Sequence, residues 1–166
     1  MNKKSFELRK QIVLSFLKPL ALNEVKKQRI VINTDEQELN YARETFRNIN
    51  TVFFRDLLKS RLALIYLYDI EKQPPDSVIG ISDGFATTRI NKASGVCIRS
   101  IGISLQALHN SKEYAVMVFL HELTHIFGYD EHDAAFHKFL DKLISRYNKA
   151  TGENVLNDYY GFDNAT

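Results

Sequence analysis

Five consecutive residues, His121-Glu122-Leu123-Thr124-His125, constrain this chain more than any other stretch. They fit H-E-x-x-H, two metal-binding histidines with a glutamate base beside the first. An α-helix turns about 100° per residue, so positions i and i+4 stand one above the other on one face. On a helix, His121 and His125 therefore offer two imidazoles to one metal ion. Glu122 sits a quarter-turn around, where its carboxylate can take a proton from a metal-activated water. The preceding run, Glu113 to Leu120, is apolar and free of Gly and Pro, as a buried helix requires. Ser111 is a natural N-cap with Glu113 in the first turn, and Gly128 stops the helix three residues after His125. Four of the five histidines fall between positions 121 and 137, which favours a metal site over a helix with two solvated histidines.

A catalytic zinc usually takes three protein ligands and keeps one position open. The spacing H-E-x-x-H-x-x-G-x-x-H would put the third histidine at 131, but Gly128 is followed there by Glu131. Asp130, Glu131, Asp133, His132 and His137 all compete for the role.

The run His121 to His125, followed by His132-Asp133-Ala-Ala-Phe136, resembles the SprT-like and WLM metalloproteases. Upstream, Ile101 to Leu108 is similar to the strand that precedes the motif helix in those families. The resemblance spans roughly residues 80 to 145, and its specific parts are the two histidine blocks. It implies that His132 is the third ligand and that Phe136 packs the following helix. It also implies a zincin-like fold around one Zn2+ and a small zinc metallopeptidase of this broad group.

At 166 residues the chain is expected to be one domain over 1–166. N-terminal helices are read over about 5–60 and a sheet over about 62–108. The site helix and a C-terminal helix follow over about 111–150. A hydrophobic share of 45% and a charged share of 25% are ordinary for a soluble globular protein. A formal charge of +2 creates no strong field, so charge alone does not imply nucleic acid. Cys97 is the single cysteine, which excludes an intrachain disulfide and suits a reducing compartment. A latent enzyme could use a cysteine to occupy its zinc, but the flanks of Cys97 read as strand and favour a structural thiol. The basic start and the apolar Ile12 to Leu17 are too interrupted for a signal peptide and far too short to span a membrane. An amphipathic helix over about 5–18 and a cytoplasmic location are expected.

Arg29 to Asn33 reads as a short strand, and Thr34 as a helix N-cap with Gln37 completing a capping box. From Asp35 to about Lys59, Leu39, Ala42, Phe46, Ile49, Phe53 and Leu57 recur at steps of three or four, a helical core stripe. Ala63 to Tyr68, Val78 to Ser82 and Phe85 to Ile90 are strand candidates, as is Val96 to Ile98 running on through 101–108. These elements make an α+β fold, a small sheet of three or four short strands packed on helices. Ile101 to Leu105 is a candidate sheet edge for an extended substrate, weighed evenly against an internal strand. Arg99 reads as a surface charge, and Tyr129, Tyr159 and Tyr160 as candidate oxyanion donors more easily explained by packing. A helix over Asp133 to Lys149 follows, stopped by Gly152.

The expected function is zinc-dependent hydrolysis of peptide bonds, with Glu122 catalytic and His121, His125 and His132 on the metal. The partner is then a protein or peptide substrate, with no membrane partner. A non-catalytic zinc module and a nucleic-acid-associated regulator are the alternatives, the second disfavoured by the weak charge.

Overall fold

The computed structural model describes residues 31–33, 35–75, 82–90, 92–95 and 97–157. The expected helix over 5–18 and the tyrosines at 159 and 160 lie outside these residues, as does most of the strand candidate at Val78 to Ser82.

The architecture is α+β: a four-stranded mixed sheet with helices against it. In chain order the elements begin with β1 (Ile32–Asn33), α1 (Glu36–Thr45), α2 (Arg47–Val52), α3 (Phe54–Ser60) and β2 (Leu62–Tyr68). A 3₁₀ turn at Ile70–Lys72 follows, then β3 (Gly84–Ile90) and β4 (Cys97–Ser104). The remainder is α4 (Leu105–Asn110), α5 (Lys112–Ile126) and α6 (Ala134–Thr151). The sheet order is β1-β2-β4-β3. β2 and β4 run parallel, and β1 and β3 flank them antiparallel.

The stripe predicted between 35 and 59 is buried throughout, but it rides on three consecutive helices rather than one. The breaks fall at Phe46 (φ −96°, ψ 7°) and Phe53 (φ −106°, ψ 20°). The i→i−4 bonds Phe46 N to Ala42 O and Phe53 N to Ile49 O persist at 2.9 Å, so the apolar side keeps facing the core. The N-cap is Asp35, whose Oδ1 accepts from Gln37 N at 2.8 Å and Glu38 N at 3.2 Å. The expected cap, Thr34, lies outside the described residues.

Strand alternation sorts the sheet's two faces. Ile65 and Leu67 of β2 join Ile101 and Ile103 of β4 in the main core beneath the helices. Tyr66 and Tyr68 point the other way and pack with Ile32, Ile70 and Phe85. Phe85 lies opposite Gly102, and a Cβ on Gly102 would stand 2.2 Å from its ring. Only glycine leaves room for that cross-strand ring.

The strand expected to run through 101–108 stops at Ser104. Its Oγ accepts from Ala107 N at 2.9 Å, an N-cap that turns Leu105 to Asn110 into α4. β4 is also an internal strand, hydrogen-bonded on both sides. The candidate edge at Ile101 to Leu105 is therefore corrected: among the described residues the edge on this side of the sheet is β3. Arg99 is likewise no free surface charge, because its Nη1 donates to the Ser60 carbonyl at 2.6 Å and caps the end of α3.

Candidate metal centre

α5 is anchored where its sequence suggests. The Ser111 side chain accepts from Tyr114 N at 3.1 Å, and Glu113 stands in the first turn. The helix is buried along most of its length, from Ala115 to Leu120 and again at Glu122, Leu123, Thr124 and Ile126. His121 and His125 are only partly covered and share the face that opens to a cavity. The helix ends at Ile126, and Gly128 adopts φ +98°, a left-handed turn that suits glycine. The chain then doubles back to α6, capped by Asp133, whose Oδ1 accepts from Phe136 N at 2.9 Å.

That turn delivers His132 to the two helix histidines. Among the described residues the ligand atoms of His121, His125 and His132 lie within 4.8 Å of one another, a group able to hold a metal ion. The Nε2 atoms of His125 and His132 are 3.0 Å apart. Two nitrogens on a tetrahedral zinc would be separated by about 3.3 Å, so the donor set fits such an ion. His125 Nδ1 lies 2.7 Å from the Tyr129 carbonyl; donating there leaves Nε2 as the bare lone pair facing the group. Phe136 is fully buried, and its ring centroid stands 4.9, 4.8 and 4.9 Å from those of His121, His125 and His132. One apolar ring thus floors all three imidazoles.

Among the described residues the other candidates fall outside the group of three. Asp133 is engaged as the α6 cap, Glu131 is exposed, Asp130 stands at the cavity wall, and His137 packs edge-on against Phe136. Tyr129 stacks on Phe139. Cys97 pairs with Ile90 at the end of β3 remote from Gly84, about 20 Å along the strand at 3.3–3.4 Å per residue. It cannot reach the histidines.

Burial shapes the electrostatics. Desolvation, then the neighbouring His125, His132 and His137 rings, pull the His121 pKa down to about 3. Burial lowers His125 as well, against the Tyr129 carbonyl and Asp130. Both imidazoles are therefore neutral near pH 7, the form that donates a lone pair to a metal. Glu122 is 6% exposed, and desolvation pushes its pKa up to about 8. The cavity beside it holds about 550 Å³ between β3 (Gly84, Phe85, Ala86), α5 (Met117, Val118, Glu122) and the three histidines.

Gly84 is a site residue that the sequence reading passed over. Asp83-Gly84 looks like a plain turn, yet Gly84 opens β3 directly against α5. A Cβ there would lie 2.7 Å from Val118 Cγ1 and 2.9 Å from Glu122 Oε1. Nothing local marks this contact, because its partners are more than thirty residues away.

No helix among the described residues is long and apolar enough to cross a membrane. Comparison with curated proteins and with solved structures gives no match. The WLM domain family model matches residues 90–163, a span that contains β4, α5, α6, Glu122 and all three clustered histidines. That match supports the WLM family as the one to which this part of the chain is related.

Proposed function

We propose that the protein is a zinc-dependent metallopeptidase, with His121, His125 and His132 holding one Zn2+ and Glu122 as general base. The observation that carries this reading is the convergence of three histidine nitrogens beside a buried glutamate at an open cleft. A zinc that only stapled a fold would be closed by four protein ligands. Here three imidazoles meet at a cavity of about 550 Å³, which favours catalysis over a purely structural site.

Zinc, when bound, supplies a Lewis acid that acidifies a water and polarises the scissile carbonyl. The chain's own groups do the rest. Glu122, in its ionised form, accepts the proton of the attacking water and returns it to the leaving amine. The Tyr129 carbonyl holds the His125 tautomer, and Phe136 keeps the imidazoles from turning. An extended peptide lies along β3, which pairs with β4 on one side and has no partner strand on the other among the described residues. Main-chain bonds to such an edge accept many sequences.

Metal analysis combined with a peptide or casein cleavage assay tests the reading. Wild-type protein is expected to carry one zinc per chain and to cleave. Glu122→Gln should keep the zinc and lose roughly 10²–10⁴-fold in rate. His132→Ala should lose zinc or bind it far more weakly. A full-rate Glu122→Gln variant refutes the general-base role, and unchanged zinc in His132→Ala moves the third ligand to another residue.

A further inference from the structure

Asp83 stands on the cavity wall, yet both of its carboxylate oxygens are turned to the protein. Oδ1 accepts from the Ser104 hydroxyl at 3.0 Å, and Oδ2 from the Tyr114 hydroxyl at 2.6 Å. Its backbone carbonyl accepts from Ser104 N at 2.9 Å. One residue earlier, the Ser82 carbonyl accepts from the Tyr68 hydroxyl at 2.5 Å. The chain entering β3 is thus bound to the last residue of β2, the end of β4 and the first turn of α5.

The position of this anchor gives it a consequence for the cleft. The next residue is Gly84, where β3 already touches Val118 and Glu122 with no space for a Cβ. Two bonds pull the strand inward at Asp83, and the missing side chain at 84 lets it come to rest on the general-base candidate. Hydroxyl-to-carboxylate bonds are roughly twice as strong as neutral ones, and the one from Tyr114 is short, so the anchor is stiff. At the far end of the hairpin Ile90 is 67% exposed.

We propose that Asp83 is a positioning residue: through Ser104 and Tyr114 it holds the edge of β3 that has no partner strand among the described residues at a fixed height over the histidine group, and so sets where an extended peptide sits. The effect on peptides rests on the metallopeptidase reading; the bracing of the strand does not.

The test uses the full chain loaded with zinc, comparing wild type, Asp83→Ala, Asp83→Asn and Tyr114→Phe. Amide hydrogen exchange over residues 84–87 should quicken about tenfold or more in Asp83→Ala, with α5 protection and zinc content unchanged. On a peptide of six or more residues, KM should rise about tenfold while kcat changes less than about threefold, the mark of lost binding rather than lost chemistry. Asp83→Asn keeps an acceptor for Ser104 and should restore most of both. Tyr114→Phe should shift both readouts in the same direction by less, and it carries the test if Asp83→Ala does not fold. Wild-type exchange at 84–87 in Asp83→Ala overturns the brace, and a lowered kcat at unchanged KM overturns the positioning role. Wild-type protein that takes up zinc but cleaves no peptide removes the metallopeptidase reading instead, and the exchange measurement alone then decides on Asp83.

Discussion

At the scale of single residues the tightest point in the site is Gly84. Its backbone meets Val118 and Glu122 where any side chain would stand under 3 Å from both. Overpacking of this kind forces a shift that costs about 1–3 kcal/mol. Gly84→Ala should therefore lower stability by that amount in guanidinium denaturation. It should also push the Glu122 carboxylate from its place. Misplacing a reacting group by about 1 Å can cost up to about 10²-fold, so cleavage at saturating zinc should fall by about tenfold or more. Wild-type stability and rate in that variant would show that β3 lifts freely from α5.

Among the elements, the turn between α5 and α6 matters most. Gly128 reverses the chain, and Asp133 starts α6 immediately after His132. The cap does two things at once: it satisfies the Phe136 amide and fixes the direction from which His132 enters. Asp133→Ala should cost about 1 kcal/mol and weaken zinc binding severalfold. Asn caps as well as Asp, so Asp133→Asn should match wild type in thermal melts and zinc titrations. If the Asn variant loses zinc as the Ala variant does, Asp133 acts as a ligand and not as a cap. The same logic of local bonds explains the segmented α1 to α3: kinks at Phe46 and Phe53 bend the helix without turning its apolar stripe from the core. That stripe was legible in the spacing of Leu39, Ala42, Phe46, Ile49, Phe53 and Leu57; the kinks were not, since no Gly or Pro marks them between Asp35 and Lys59.

For the whole molecule, stability without metal should depend on pH through Glu122 and the two helix histidines, His121 and His125. Glu122 has its folded pKa raised from 4.5 to about 8, so the folded state holds an extra proton between those values. Stability falls as pH rises through that window. His121 has its folded pKa lowered from 6.5 to about 3, so the unfolded chain binds the extra proton there. Stability from this group is complete above about 6.5 and is lost as pH falls toward 3. His125 is lowered too and acts in the same sense as His121, so below about 6.5 the histidines outweigh Glu122 and metal-free protein should be most stable near pH 6.5. Denaturation in chelator across pH should show this maximum, and Glu122→Gln should remove the decline on its alkaline side. Free zinc at about 100 times its Kd should add about 2.7 kcal/mol to the wild type. A decline that persists unchanged in Glu122→Gln would assign it to another group.

What the sequence determined by itself is what short-range physics controls. A Ser cap, a Gly stop and an i, i+4 histidine pair specify α5 and its face, because each acts within one or two turns of the chain. The strand-forming residues of Ala63 to Tyr68 and the alternation of Phe85 to Ile90 point to strands for the same reason. The tertiary structure decided what depends on partners far along the chain. Among the described residues it made β3 rather than β4 the edge of the sheet, brought Gly84 against Glu122, and turned Arg99 to the end of α3. It also placed His132 beside His121 and His125, because a reversing loop and a buried Phe136 ring, not residue spacing, bring that imidazole within reach of the other two.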